Sequence, residues 1–102
     1  MNVKFTYLYR DAGNYKHWQE VVLTNHSGKP VEELTAEIRR YLHAGEFFDQ
    51  TLAPVPIEID DTYDDELDHG WLEFYSLRAS ENEAQITEDI ADFLERLKYK
   101  IK

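Results

Sequence analysis

The densest run of groups able to do chemistry is Asp60-Asp-Thr-Tyr-Asp-Asp-Glu-Leu-Asp-His69. Its carboxylates are hard oxygen ligands of the kind a divalent cation takes, and His69 adds one imidazole. The spacing misses that of a calcium loop, with no Gly at the sixth position and no Glu at the twelfth. Zinc would want more histidine. The competing readings are an acidic surface for a protein partner and a solvated loop in which Asp64 or Asp65 caps one helical turn. Because the spacing fits no established loop, no residue is assigned to a metal and no cofactor is expected. His69 follows Asp68 and opens the stretch Gly70-Trp71. Neighbouring carboxylates favour a protonated imidazole and would equip His69 as an acid or base. No nucleophile can be named beside it, and a His that packs on a ring and bonds to Asp68 accounts for the same residues.

The second constellation is Arg10-Asp-Ala-Gly-Asn-Tyr-Lys-His-Trp18. Arg10, Asp11, Asn14, Tyr15, His17 and Trp18 mix donors, acceptors and rings, the composition of a recognition surface. Read as a connection of about eight residues, it exceeds the usual two to five of a hairpin, and long loops carry function out of proportion to their number. The structural alternative has Asp11 making an Asx turn, Gly13 taking positive φ, and Tyr15 and Trp18 covering the core. Together with Asp64, Asp65, Asp68 and His69, these six residues are the candidate binding positions. No catalytic residue is assigned.

Other chemistries lack their signatures. There is no P-loop, dinucleotide fingerprint, nucleophile elbow or HExxH motif. Cysteine is absent, which excludes disulfides, thiolate metal sites and cysteine nucleophiles, and fits a reducing compartment. The aromatic series Tyr7, Tyr9, Tyr15, Tyr75 has the residue type that stacks nucleobases, but such platforms sit in basic surroundings. Here the formal net charge is −10. Ten acids and no Lys or Arg lie between Tyr41 and Leu77, so the middle third holds the whole imbalance. Such a field repels nucleic acid backbone and anionic membrane and attracts a basic protein surface, which is the partner expected.

The elements that must position these groups follow from periodicity. Val3, Phe5, Tyr7 and Tyr9 alternate with Lys4, Thr6, Leu8 and Arg10, which predicts a strand covered on one face and, through Leu8, partly on the other. Gln19–Asn25 predicts a second strand, joined to the first as a hairpin. Val31, Leu34, Ile38 and Tyr41 or Leu42 recur at helical spacing, with Pro30 suited to the first turn, acids leading and Arg39 and Arg40 trailing, and Gly45 as the stop. Glu46–Pro56 reads as an ordered loop pinned by Phe47 and Phe48, and Ile57 and Ile59 as a short edge strand. Trp71–Leu77 predicts another strand. Ser80-Glu-Asn-Glu83 fits a capping box that opens a last helix, whose apolar face is Ile86, Ile90, Phe93, Leu94 and Leu97.

The runs Tyr7–Lys16, Asp64–His69 and Trp71–Phe74 are similar to small uncharacterised bacterial proteins of about this length, over most of the chain. The resemblance implies a bacterial source and brings no activity and no catalytic residue with it.

The expectation is one domain over residues 1–102: a two-layer α+β sandwich in which an antiparallel sheet of three or four strands carries two helices on one face, in the order β-β-α-(β)-β-α. No apolar run approaches the roughly 18 residues of a membrane span, and the N-terminal residues lack a signal-peptide pattern, so a soluble, cytoplasmic protein is expected. The function expected is non-catalytic binding or regulation through the acidic surface or the Asp11–Trp18 loop. The alternative is a small enzyme or ligand-binding protein built on Arg10, Asp11, His69 and the nearby carboxylates. Oligomeric state stays open.

Overall fold

A computed structural model describes residues 2–10, 13, 15–55 and 71–100. Strand β1 (Asn2–Arg10) and strand β2 (Lys16–Leu23) form a hairpin; helix α1 (Val31–Tyr41) follows. A short strand β3 (Phe47–Asp49) runs into a 3-10 turn (Gln50–Leu52), and strand β4 (Trp71–Ser80) leads to helix α2 (Ile90–Lys100). The sheet is antiparallel throughout, in the order β2-β1-β4-β3. The α+β architecture and its element order are those expected from the sequence.

The alternation of β1 decides which face is the core. Val3, Phe5, Tyr7 and Tyr9 are all buried, together with Val21 and Leu23 of β2 and Leu72, Phe74 and Leu77 of β4. Leu34 and Ile38 of α1 and Ile90, Phe93, Leu94 and Leu97 of α2 close over them, so both helices lie on that one face. Phe5 is the hub: its ring stands 5.0 Å from Phe93, 5.3 Å from Phe74 and 6.0 Å from Phe48. Offset and edge-on rings of this kind add to what burial alone contributes.

Four local expectations need correction. Lys16, His17 and Trp18 belong to β2, which leaves a connection of ordinary hairpin length. Phe47 and Phe48, read as loop anchors, form the fourth strand; the proposed strand at Ile57 and Ile59 lies outside the described residues. The capping box at Ser80 does not start a helix. β4 continues to Ser80, α2 begins at Ile90, and residues 81–89 run along the edge of β2, where Gln85 bonds Val22 twice and the Ile90 N–H donates to Thr24 O. Tertiary pairing of a sheet edge has outcompeted a local helix start. Finally, Pro30 is the cap of α1 and lies just outside its first turn. No helix among the described residues is long and apolar enough to cross a membrane.

Candidate functional site

The register sets the hairpin end of β1 and β2 and the start of β4, which follows the acidic run in sequence, at one end of the sheet. Arg10 closes β1 opposite Lys16, and Leu8 lies between Trp18 on β2 and Glu73 on β4. Trp71, which follows the acidic segment, opposes Asp49 at that same end.

Of the candidate positions, the structure describes Arg10, Tyr15, His17 and Trp18. Asp11, Asn14, Asp64, Asp65, Asp68 and His69 lie outside the described residues. Arg10 and Trp18 project from the face opposite α1 and α2. His17, one residue before Trp18, falls on the opposite face by the period of the strand, half-buried with its ring 6.1 Å from that of Tyr9. Arg10 and His17 thus do not converge. Tyr15 is 73% exposed and covers no core.

Arg10 is engaged. Its Nε donates to Glu73 Oε2 at 3.0 Å and its Nη2 to Oε1 at 3.3 Å, a bidentate pair across two strands. The hydrogen bonds and the charge of Glu73 raise the guanidinium pKa further, so Arg10 is a fixed cation.

Beside that pair, Trp18 and Tyr75 meet edge to face, their ring centroids 4.9 Å apart and the planes at 88°. β2 and β4 flank β1, so the two rings reach toward each other over it. Leu8 lies beneath and is only 4% exposed, on the face opposite α1 and α2. The rings themselves remain open, Trp18 at 49% and Tyr75 at 55%. Trp71, also exposed, continues the aromatic surface toward His43, whose ring is 5.5 Å away.

Tyr75 reaches this position through a bulge. Thr6 pairs with Ser76 but Tyr7 pairs with Phe74, so Tyr75 is an extra residue on β4. Its signal is in the sequence: Leu72 and Phe74 lie in one phase and Leu77 in the other, and all three can share the core face only if one residue is inserted between. The series Tyr7, Tyr9, Tyr15, Tyr75 accordingly splits, Tyr7 and Tyr9 into the core and Tyr15 and Tyr75 to the surface.

Two concavities among the described residues lie elsewhere. One of about 150 Å³ opens between the helices, lined by Lys29, Glu37, Tyr41, Leu94 and Lys98 among others. Another of about 320 Å³ is lined by Lys4, Glu20, Val22, Asn82, Glu83 and Gln85. Among the described residues no three His, Asp or Glu gather as a metal site would require. Comparison of the chain with protein-family models, with curated proteins and with solved structures finds no match.

Proposed function

We propose that this protein is a non-catalytic binding module that associates with a basic protein surface through the face of its sheet opposite α1 and α2. The observation that carries the reading is the Trp18–Tyr75 pair, two large rings held in fixed geometry yet half open to solvent. Trp, Tyr and Arg are the residue types that anchor protein interfaces, and rings already packed on one another lose little freedom on binding. The Arg10–Glu73 pair supplies a polar rim beside them. The choice of a basic partner rests on charge. Seven of the ten central acids fall between Glu58 and Asp68, in the segment that joins the sheet at Trp71. Their field raises the encounter rate with a positive surface.

The alternative, an acid–base or metal site on Arg10, Asp11, His69 and the nearby carboxylates, has one observation against it, the commitment of the Arg10 guanidinium to Glu73; Asp11 and His69 lie outside the described residues.

A photo-crosslinking amino acid placed at Tyr75 in the source cell should capture one dominant protein of basic surface, while the same group at Glu33 on α1 should not. Capture from Tyr75 should fall when Trp18→Ala is added and as salt is raised. Equal capture from both positions, or capture indifferent to Trp18→Ala, would refute the reading.

A further inference from the structure

β2 is an outer strand of the sheet, and half of its edge is closed. Val22 turns both backbone groups away from β1: its N–H donates to Gln85 Oε1 at 3.0 Å and its C=O accepts from Gln85 N at 3.0 Å. Two residues on, Thr24 O accepts from the Ile90 N–H at 2.9 Å. By the same two-residue period, Glu20, Trp18 and Lys16 also direct their N–H and C=O outward. No strand among the described residues pairs with them; Glu20 O accepts only the flexible amide of Gln19 at 3.1 Å. At the other edge of the sheet, Phe47 of β3 is closed by His43, which exchanges both backbone bonds with it. An open, exposed edge is a template for another strand.

The residues of the open stretch select that strand. Lys16-His-Trp-Gln-Glu20 is complementary to itself read backwards. Set antiparallel to a second copy with Trp18 on the dyad, Lys16 of each copy opposes Glu20 of the other. All three outward positions then meet outward positions, giving about six backbone hydrogen bonds. Shifting the register toward Val22 would need groups that Gln85 already holds, so the centred register alone uses the whole open stretch. A dyad perpendicular to the sheet keeps the faces together: the Trp18 rings of the two copies come side by side, each backed by its own Tyr75. Glu20 is available for its pairing with Lys16, since its link to Lys4 is long, 3.8 Å, and solvent-exposed.

We infer that two copies of this chain associate through antiparallel pairing of β2 over Lys16–Glu20, centred on Trp18, into one continuous sheet. The pairing uses the backbone of β2 and stands whether or not the aromatic face binds another protein. The contact is small for a stable interface, so the dimer is weak and concentration-dependent.

Sedimentation velocity on the full chain from about 10 µM to about 1 mM tests this. Wild type should pass from monomer to dimer across that range. Lys16→Glu sets Glu against Glu20, and Glu20→Lys sets Lys against Lys16; each should weaken the dimer at least tenfold, with circular dichroism unchanged. Mixed together, the two single variants should form a heterodimer at least as tight as wild type, because each like-charged strand then faces its opposite. A monomer throughout the range would overturn the inference. So would a dimer that neither charge change weakens, or single variants that fail to rescue each other while folded. Capture of a foreign extended peptide at this edge, with no self-association, counts equally against it.

Discussion

The Oδ1 of Asp89 accepts from Thr24 Oγ1 at 2.8 Å, and through it the residue before α2 is fastened to the end of β2. The same carboxylate accepts from the His26 backbone N–H and, through Oδ2, from the Ala91 N–H, both at 2.9 Å. One buried side chain therefore caps α2, pins the turn that leads to α1, and closes the sheet edge.

That arrangement sets a pH dependence. Burial pushes the Asp89 carboxyl up, but the Ala91 and His26 N–H groups, the Thr24 hydroxyl and the His26 ring together hold it below the usual carboxylate range. A carboxyl depressed in the folded state stabilises the fold above the unfolded value of about 3.9, and this contribution is lost as pH falls through the folded value. Asp89→Asn should cost about 1–3 kcal/mol near neutrality, the range for a lost cap and a damaged buried network. In urea melts the gap between wild type and Asp89→Asn should narrow from pH 6 toward pH 2. A gap that stays constant over that range would mean that the charge of Asp89 is not what is lost.

Phe93 sits fully buried beneath Phe5 and 6.4 Å from Phe48, with the Arg96 guanidinium 5.4 Å over its ring. Truncation leaves a hole that rings fixed by the sheet cannot close. Phe93→Ala should cost about 3–5 kcal/mol in denaturant melts. A loss under about 1 kcal/mol would show that α2 packs only peripherally.

Most of this core was legible because period two in β1 and period 3.6 in the helices name the same buried residues the structure shows. The two larger misreadings share one physical source, backbone pairing between distant segments. Phe47-Phe48 lacks alternation, yet β4 offers it a partner, and three residues of strand result. Ser80-Glu-Asn-Glu83 has the right side chains for a helix start, yet the open groups of Val22 and Thr24 draw residues 81–89 along β2 instead. In the candidate site, Trp18 was singled out as part of a loop. Its partner Tyr75 enters the sequence reading only in the nucleobase-stacking series and not among the binding positions, because its place beside Trp18 depends on a bulge visible only once the phases of Leu72, Phe74 and Leu77 are compared. The Arg10–Glu73 pair links residues 63 apart in sequence, and no local pattern announces it.

Tyr7 carries a second titration, with the opposite sign. Its hydroxyl donates to Val55 O and accepts from Val55 N, anchoring the chain just before the acidic segment. Burial pushes the phenol up to about 12, against the smaller opposing pull of the bond with Val55. A phenol raised above its unfolded value of 10.0 supports the fold fully below pH 10, and the support is lost as pH climbs from 10 toward 12. Absorbance titration should show a late-ionising component that Tyr7→Phe removes. The same substitution should cost about 1–3 kcal/mol and speed amide exchange at Val55, since both its backbone groups lose a partner. Exchange unchanged from wild type would show that water replaces the hydroxyl.

Metal binding by the acidic segment is expected to be weak, because Asp60–His69 keeps the spacing of no established loop. Calorimetry at neutral pH with calcium, magnesium, manganese and zinc should give nothing tighter than roughly millimolar. A micromolar, stoichiometric isotherm lost on changing Asp64 and Asp65 to Asn would reverse this and restore the enzyme alternative.

The acidic segment should instead act at long range. Ten acids without a single Lys or Arg between residues 41 and 77 repel one another. Changing Asp60, Asp61, Asp64 and Asp65 together to Asn relieves part of that repulsion. The variant should keep its circular dichroism spectrum and melt slightly higher than wild type. Salt should shrink the difference, since screening shortens the field to about 8 Å at physiological ionic strength. With the captured partner in hand, stopped-flow mixing separates steering from contact. If the acids steer, the fourfold variant associates more slowly and depends less on salt, while its dissociation rate changes little. Trp18→Ala should do the reverse, speeding dissociation with little effect on the association rate, because a packed ring acts only once the surfaces have met. An association rate indifferent both to salt and to the four Asn changes would remove the acidic segment from the mechanism and leave the aromatic face to act alone.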